Sequence, residues 1–131
     1  MQVKNLNHIN IQTRDMAGTI RFYQDLLGLE PRVAAERDPA LRQWLYTPSG
    51  QAVIHLNLWG TDNTIPRDVQ PGQPTGAIHH VAFECEGFDE TVEKLKSRGL
   101  EYGYNEISSI PLRQLFVVDP NNVLLELNFR Q

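Results

Sequence analysis

The sequence predicts an α+β fold built from two tandem βαβββ modules, and three observations carry that prediction. Leu41-Arg42-Gln43 returns as Leu112-Arg113-Gln114, 71 positions further on, and at the same offset Val53-Ile54-His55-Leu56-Asn57 falls on Leu124-Leu125-Glu126-Leu127-Asn128. With one residue of slippage His8-Ile9-Asn10-Ile11 falls on His80-Val81-Ala82-Phe83. Period-two alternation at the ends of each copy marks strands, and an apolar run at helical spacing follows the first strand of each copy, stopped by Gly28 and again by Gly99.

Along the first copy, Leu6 to Gln12 alternates and reads as a strand. Asp15 offers an N-cap, and Met16, Ile20, Tyr23 and Leu27 recur at helical spacing until Gly28. Leu29 to Val33 reads as a short strand, a loop passes Asp38-Pro39, and Leu41–Thr47 with Gln51–Leu58 forms a hairpin around Pro48-Ser49-Gly50. Prolines 66, 71 and 74 with Gly72 and Gly76 then mark residues 60–77 as a linker. The second copy repeats the order: a strand from Ile78, a helix over Asp89 to Arg98, and a last hairpin turning at Asp119-Pro120-Asn121-Asn122, where Asn suits a left-handed backbone. The chain is thus expected to be one domain over residues 1–131, with modules at 1–59 and 78–131.

Bulk properties narrow the function. The 131 residues are 40% hydrophobic and 21% charged, with a formal charge of −4 and no basic run, which argues against nucleic acid or an anionic membrane as partner. No stretch approaches the roughly 20 apolar residues of a membrane span, and no signal-peptide pattern opens the chain. One cysteine, Cys85, cannot staple the fold, so a reducing cytoplasmic setting is expected.

Strand parity gathers the chemistry. His8 and Asn10 oppose Ile9 and Ile11; His55, Asn57 and Trp59 oppose Ile54, Leu56 and Leu58; His80 opposes Val81 and Phe83; Glu126 and Asn128 oppose Leu125 and Leu127. Each ligand-type residue therefore lies across from an apolar face, and His80 is a better ligand than His79. Four such residues at matching ends of two repeats point to a metal held by His8, His55, His80 and Glu126. Three imidazoles and one carboxylate suit Zn, Ni, Co, Fe or Mn better than Mg or Ca. Asn10, Asn57, Trp59, Asn128 and Arg113 are the candidate substrate-binding residues, and Arg42 is the repeat partner of Arg113.

Several stretches resemble the vicinal oxygen chelate superfamily, which includes glyoxalase I, fosfomycin-resistance and bleomycin-resistance proteins and extradiol dioxygenases. They are Leu6-Asn7-His8-Ile9, Phe22-Tyr23-Gln24-Asp25-Leu26-Leu27-Gly28-Leu29, His80-Val81-Ala82-Phe83, and Asp119-Pro120-Asn121-Asn122 leading to Leu125-Glu126-Leu127. The resemblance implies paired βαβββ half-barrel walls, usually in a homodimer, and a metal at the positions of His8, His55, His80 and Glu126, with Glu, Gln or His accepted at the position of His55. Glyoxalase I carries a basic residue for glutathione where this chain has Gln24-Asp25-Leu26. Ring-cleaving relatives use a further His and a Tyr near the final turn; no histidine follows His80, and Phe116 takes the likely Tyr position.

The reading that follows is a metal-dependent lyase or isomerase acting on a small oxygen-chelating substrate, with Glu126 as the proton-transferring base and Glu36 a distant second candidate. The alternatives are an Fe(II)-dependent extradiol-type dioxygenase and a binding or resistance protein of the bleomycin or fosfomycin type.

Overall fold

The computed structural model describes residues 1–130 and contains ten elements. They are β1 (Ile9–Thr13), α1 (Met16–Leu27), β2 (Glu30–Arg32), β3 (Arg42–Tyr46) and β4 (Ala52–Leu58), then β5 (Val81–Cys85), α2 (Phe88–Ser97), β6 (Gly103–Ile107), β7 (Leu112–Val118) and β8 (Leu124–Arg130). Each copy is βαβββ. The strands form two four-stranded mixed sheets, ordered β1-β4-β3-β2 and β5-β8-β7-β6, in which the first and last strands of a copy run parallel and the others antiparallel. The chain divides into two compact units, one over Met1–Pro71 and one from Gly72 onward.

In the first unit Ile54 and Leu56 on β4 and Leu45 on β3 are fully buried, as is Tyr23 of α1. The same alternation buries Leu125, Leu127 and Phe129 on β8, Leu115 and Val117 on β7, and Leu95 of α2 in the second unit. Apolar area removed from water on one face is the main driving force for each sheet, and it obliges the intervening residues to face the other way.

The helix boundaries follow their caps. Asp15 Oδ1 accepts a hydrogen bond from the Gly18 backbone N–H at 2.9 Å, and Gly28 closes α1 at φ 68°. A Cβ at position 18 would collide with the Asp15 carboxylate, which explains a glycine inside a helix. The Thr13 and Thr19 hydroxyls, 2.9 Å apart and buried, tie β1 to the same first turn. Helix α2 starts at Phe88, whose ring packs edge-on against Phe129 of β8 at 5.4 Å. In the last hairpin Asp119 Oδ1 accepts from the N–H of Asn121 and of Val123, both at 2.8 Å, and Asn122 takes φ 66°.

Three expectations change. The first strand of each copy begins later than Leu6 and Ile78, at Ile9 and Val81, because pairing with β4 and β8 begins there; Leu6 and Ile78 are exposed. Much of the expected linker is folded onto the first unit: Trp59 Nε1 donates to the Val69 carbonyl at 2.7 Å, Asn57 Nδ2 donates to Asn63 Oδ1 at 2.9 Å, and Arg14 reaches the Pro71 carbonyl. The Leu-Arg-Gln repeat, finally, is a repeat of letters and not of position. Arg42 pairs with Asn57 across β3–β4, whereas Gln114 pairs with Asn128 across β7–β8. A bulge between Leu45 and Tyr46 shifts the first hairpin by one residue, so Arg42 and Arg113 take opposite faces.

Removing the α1 cap tests this account of the first unit. Asp15→Ala should lower unfolding stability by about 0.5–2 kcal/mol, read as a lower denaturation midpoint at unchanged m-value.

Candidate metal centre

His55 sits at the middle of β4, opposite Asn10 on β1 and Trp44 on β3. The register fixes its surroundings. The Trp44 indole stacks on the imidazole with centroids 4.1 Å apart and planes 2° apart, and the Asn10 side-chain amide approaches Nδ1 at 3.4 Å. His8, just before β1, stands edge-on to Trp44 at 4.8 Å, with its ring centroid 6.3 Å from that of His55. Its Nδ1 hydrogen-bonds to Asn7 Oδ1 at 2.6 Å. Because a carboxamide oxygen only accepts, Nδ1 carries the proton of this bond, and Nε2 is the ring nitrogen left to face a ligand.

His55 titrates below its ordinary value of 6.5, first because it is partly buried and then because His8, Arg42 and Arg37 add positive charge around it. It is therefore neutral at physiological pH, the form that coordinates metals.

The second unit holds the other pair. His80 Nε2 and Glu126 Oε1 are 3.7 Å apart, and the His80 Nδ1 faces His79 Nδ1 at 3.0 Å. Glu126 Oε2 accepts from Asn128 Nδ2 at 3.0 Å; Asn128 Oδ1 accepts from Gln114 Nε2 at 3.0 Å; Gln114 Oε1 accepts from Asn105 Nδ2 at 2.7 Å. This amide row runs straight across β6, β7 and β8 in register and ends on one oxygen of the carboxylate. It leaves the other oxygen toward His80.

The sequence-expected residues fall out as follows. His8, His55, Asn10 and Asn57 line a cavity of about 900 Å³ in the first unit. Trp59 lies outside its wall, with Arg14 over the indole face at 4.3 Å. His80, Glu126 and Asn128 come together in the second unit. Arg113 lies on the helix side of β7, its guanidinium 3.9 Å over the Phe88 ring. Glu36 sits exposed in a loop at φ 62°. Sequence reasoning set His79 aside in favour of His80; it missed Trp44, Gln114 and Asn105, and also Arg37 and Arg67 in the cavity wall. Gln114 and Asn105 carried a usable signal, being polar at alternating positions in strands that neighbour Glu126.

The donor chemistry fits a divalent cation. Each unit offers a pair, imidazole with imidazole and imidazole with carboxylate, and in both pairs a neighbouring polar side chain orients a donor from behind. Among the described residues no group of three or more His, Cys, Asp or Glu side chains is gathered in one place. Cys85 is not a candidate ligand: burial pushes its thiol up to about 11.

The surroundings of His55 make a testable statement. In metal-free protein its ring should titrate below 6.5 by NMR, and Arg42→Gln should move the midpoint back up without abolishing the shift, since burial is the larger cause. The unfolded chain takes up this proton first, so the contribution to stability is full above about pH 6.5 and falls as the pH drops toward the folded value.

Comparison with known proteins agrees with this architecture. A family model described as the glyoxalase/bleomycin resistance protein/dioxygenase superfamily matches residues 5–127. Glyoxylase I 4 of Arabidopsis thaliana is 26% identical over 130 residues, which cover 97% of this chain and 71% of that protein. An integron cassette protein from the mobile metagenome of V. cholerae superimposes with a TM-score of 0.76 at 17% identity, covering 100% of this chain and 98% of that one. The fosfomycin resistance protein FosX of Listeria monocytogenes gives 0.70 at 19% identity, covering 99% and 96%. The structural likenesses establish the shared fold, and the family match spans both copies of the repeat together with His8, His55, His80 and Glu126. The chain belongs to the glyoxalase/bleomycin resistance protein/dioxygenase superfamily.

Proposed function

We propose that this chain is a divalent-metal-dependent lyase or isomerase that moves a proton next to a carbonyl of a small, oxygen-chelating substrate. His8, His55, His80 and Glu126 form the donor set, and the metal is Zn, Ni, Co, Fe or Mn. The observation that carries this reading is the arrangement at Glu126, a carboxylate tethered by Asn128 on one oxygen and directed at His80 on the other. The family match and the 26% identity to a glyoxylase I of Arabidopsis support the same class.

When bound, the cation supplies Lewis acidity toward two neighbouring substrate oxygens. The chain's own residues do the rest. Glu126 takes the proton α to the carbonyl on the oxygen that Asn128 leaves free and returns it at the neighbouring position. Gln114 and Asn105 keep Asn128 oriented, so the carboxylate does not have to reorganise during transfer. Trp44 keeps the His55 ring flat against the wall of the first-unit cavity, and the neutral His55 presents a lone pair. Phe116, cross-strand from Glu126, offers no acid or base, which counts against ring-cleaving chemistry.

The test compares two glutamine variants in hydrogen–deuterium replacement at the carbon next to the carbonyl of hydroxyacetone, followed by NMR, with metal content measured alongside. Glu126→Gln should keep substantial metal and lose roughly 10²–10⁴-fold in rate, the usual worth of a positioned general base. His55→Gln should be much milder, because a metal-binding oxygen replaces the imidazole. A metal-replete Glu126→Gln protein with wild-type rate, or no replacement by metal-loaded wild type, contradicts the reading.

The homodimer belongs to the same proposal. Val3, Leu6, Ile65 and Ile78 expose large apolar side chains, and each four-stranded sheet ends in edge strands that a second copy could cover. A symmetric dimer burying more than about 1,000 Å² is expected in sedimentation at micromolar concentration. A stable monomer there would contradict it.

A further inference from the structure

We infer that the first-unit cavity carries an oxyanion subsite, so that the substrate is a small organic anion whose carboxylate or phosphate is held by Arg37, Arg42 and Arg67. This deepens the function proposed above and rests on it in one respect, that the wall holding His8 and His55 is the substrate's wall.

Three of the chain's nine arginines line this one cavity, with no lysine beside them. They come from separate places in the chain: Arg37 from the loop before β3, Arg42 from the start of β3, and Arg67 from the segment folded back after β4. Asp62 is the one acidic residue in the lining, so the cavity is locally positive in a protein whose formal charge is −4. Electrostatic focusing in a cleft of one sign raises the local concentration of the opposite ion.

The guanidiniums are also free to act. Arg42 spends one N–H on the Asp62 carbonyl, which fixes its direction and leaves its other donors. The side chains of Arg37 and Arg67 have no hydrogen bond or ion pair among the described residues. Four arginines elsewhere in the chain have partners: Arg14 lies over Trp59, Arg32 lies over Tyr46 and beside Glu30, Arg113 lies over Phe88, and Arg130 pairs with Glu84. The planar guanidinium fork matches the two oxygens of a carboxylate or phosphate, which a lysine ammonium does not. Arg37, Arg42 and Arg67 line the same cavity as His8 and His55, so an anion held by them stands beside the imidazole pair. One molecule could then present its charged group to the arginines and its chelating oxygens to the cation that His8 and His55 would help to hold.

Tryptophan fluorescence reads the test, because Trp44 is in the cavity wall. Three ligands are titrated at low salt: hydroxyacetone, which is neutral; pyruvate, which replaces its hydroxymethyl with a carboxylate; and dihydroxyacetone phosphate. Each is measured on the protein as purified and again after metal removal, so that a failed metal proposal leaves the anion result readable. At least one anion should bind about tenfold or more tighter than hydroxyacetone, with a preference that weakens as salt rises. Preference for pyruvate assigns a carboxylate, and preference for dihydroxyacetone phosphate assigns a phosphate. The Arg37→Gln/Arg67→Gln double variant should erase that advantage while leaving hydroxyacetone binding unchanged. Equal binding of all three ligands, no measurable anion binding, or an advantage that survives the double variant would overturn the inference.

Discussion

A single extra residue, Val53 on β4 opposite the step from Leu45 to Tyr46, sets the register on which the first half of the site depends. Ile54 and Leu56 are obliged to face the core, so His55 faces outward whatever its partners. Which side chain lies across from it is a separate matter. The bulge brings Trp44 opposite His55 and Arg42 opposite Asn57, and the aromatic stack, the held arginine and the cavity wall all follow from that alignment. The second unit, with no such shift in β7–β8, places Phe116 opposite Glu126 and Gln114 opposite Asn128. One fold, repeated, thus presents two differently furnished sheets.

Under the proposed function the two units would divide the labour accordingly. In the first, an aromatic wall, the His8 and His55 imidazoles and the guanidiniums of Arg37, Arg42 and Arg67 favour recognition. In the second, a row of amides terminating on one carboxylate oxygen favours proton transfer, because every orientation in the row is fixed by the next. Glu84, which parity places on the same strand face as His80, is engaged by Arg130 at 3.0 and 3.1 Å, so Glu126 is left as the carboxylate of that pairing.

The βαβββ order, both helix stops, the Asp15 cap and the outward parity of His55 and Glu126 were legible in the sequence because they depend on local signals: period, glycine and capping oxygen. The bulge was not, since an extra residue in a hairpin leaves alternation intact on either side of it. A symmetric hairpin about Thr47 and Gln51 would put Trp44 opposite Ile54, which hides the stack on His55. Residues 60–71 read as linker because prolines disrupt regular elements, yet irregular backbone can still pack through side chains, as Asn63 and Val69 do. Arg67 was lost with them. The pairing of His80 with Glu126 was anticipated from the repeat; the amide row behind it required the actual strand neighbours.

The central proposal is that His8, His55, His80 and Glu126 would together hold one divalent cation. X-ray absorption at the edge of whichever metal copurifies tests it most directly. The account predicts a nitrogen- and oxygen-only first shell with strong imidazole scattering that weakens stepwise in His8→Ala and His80→Ala protein. A shell without imidazole, or one unchanged by those substitutions, would contradict it.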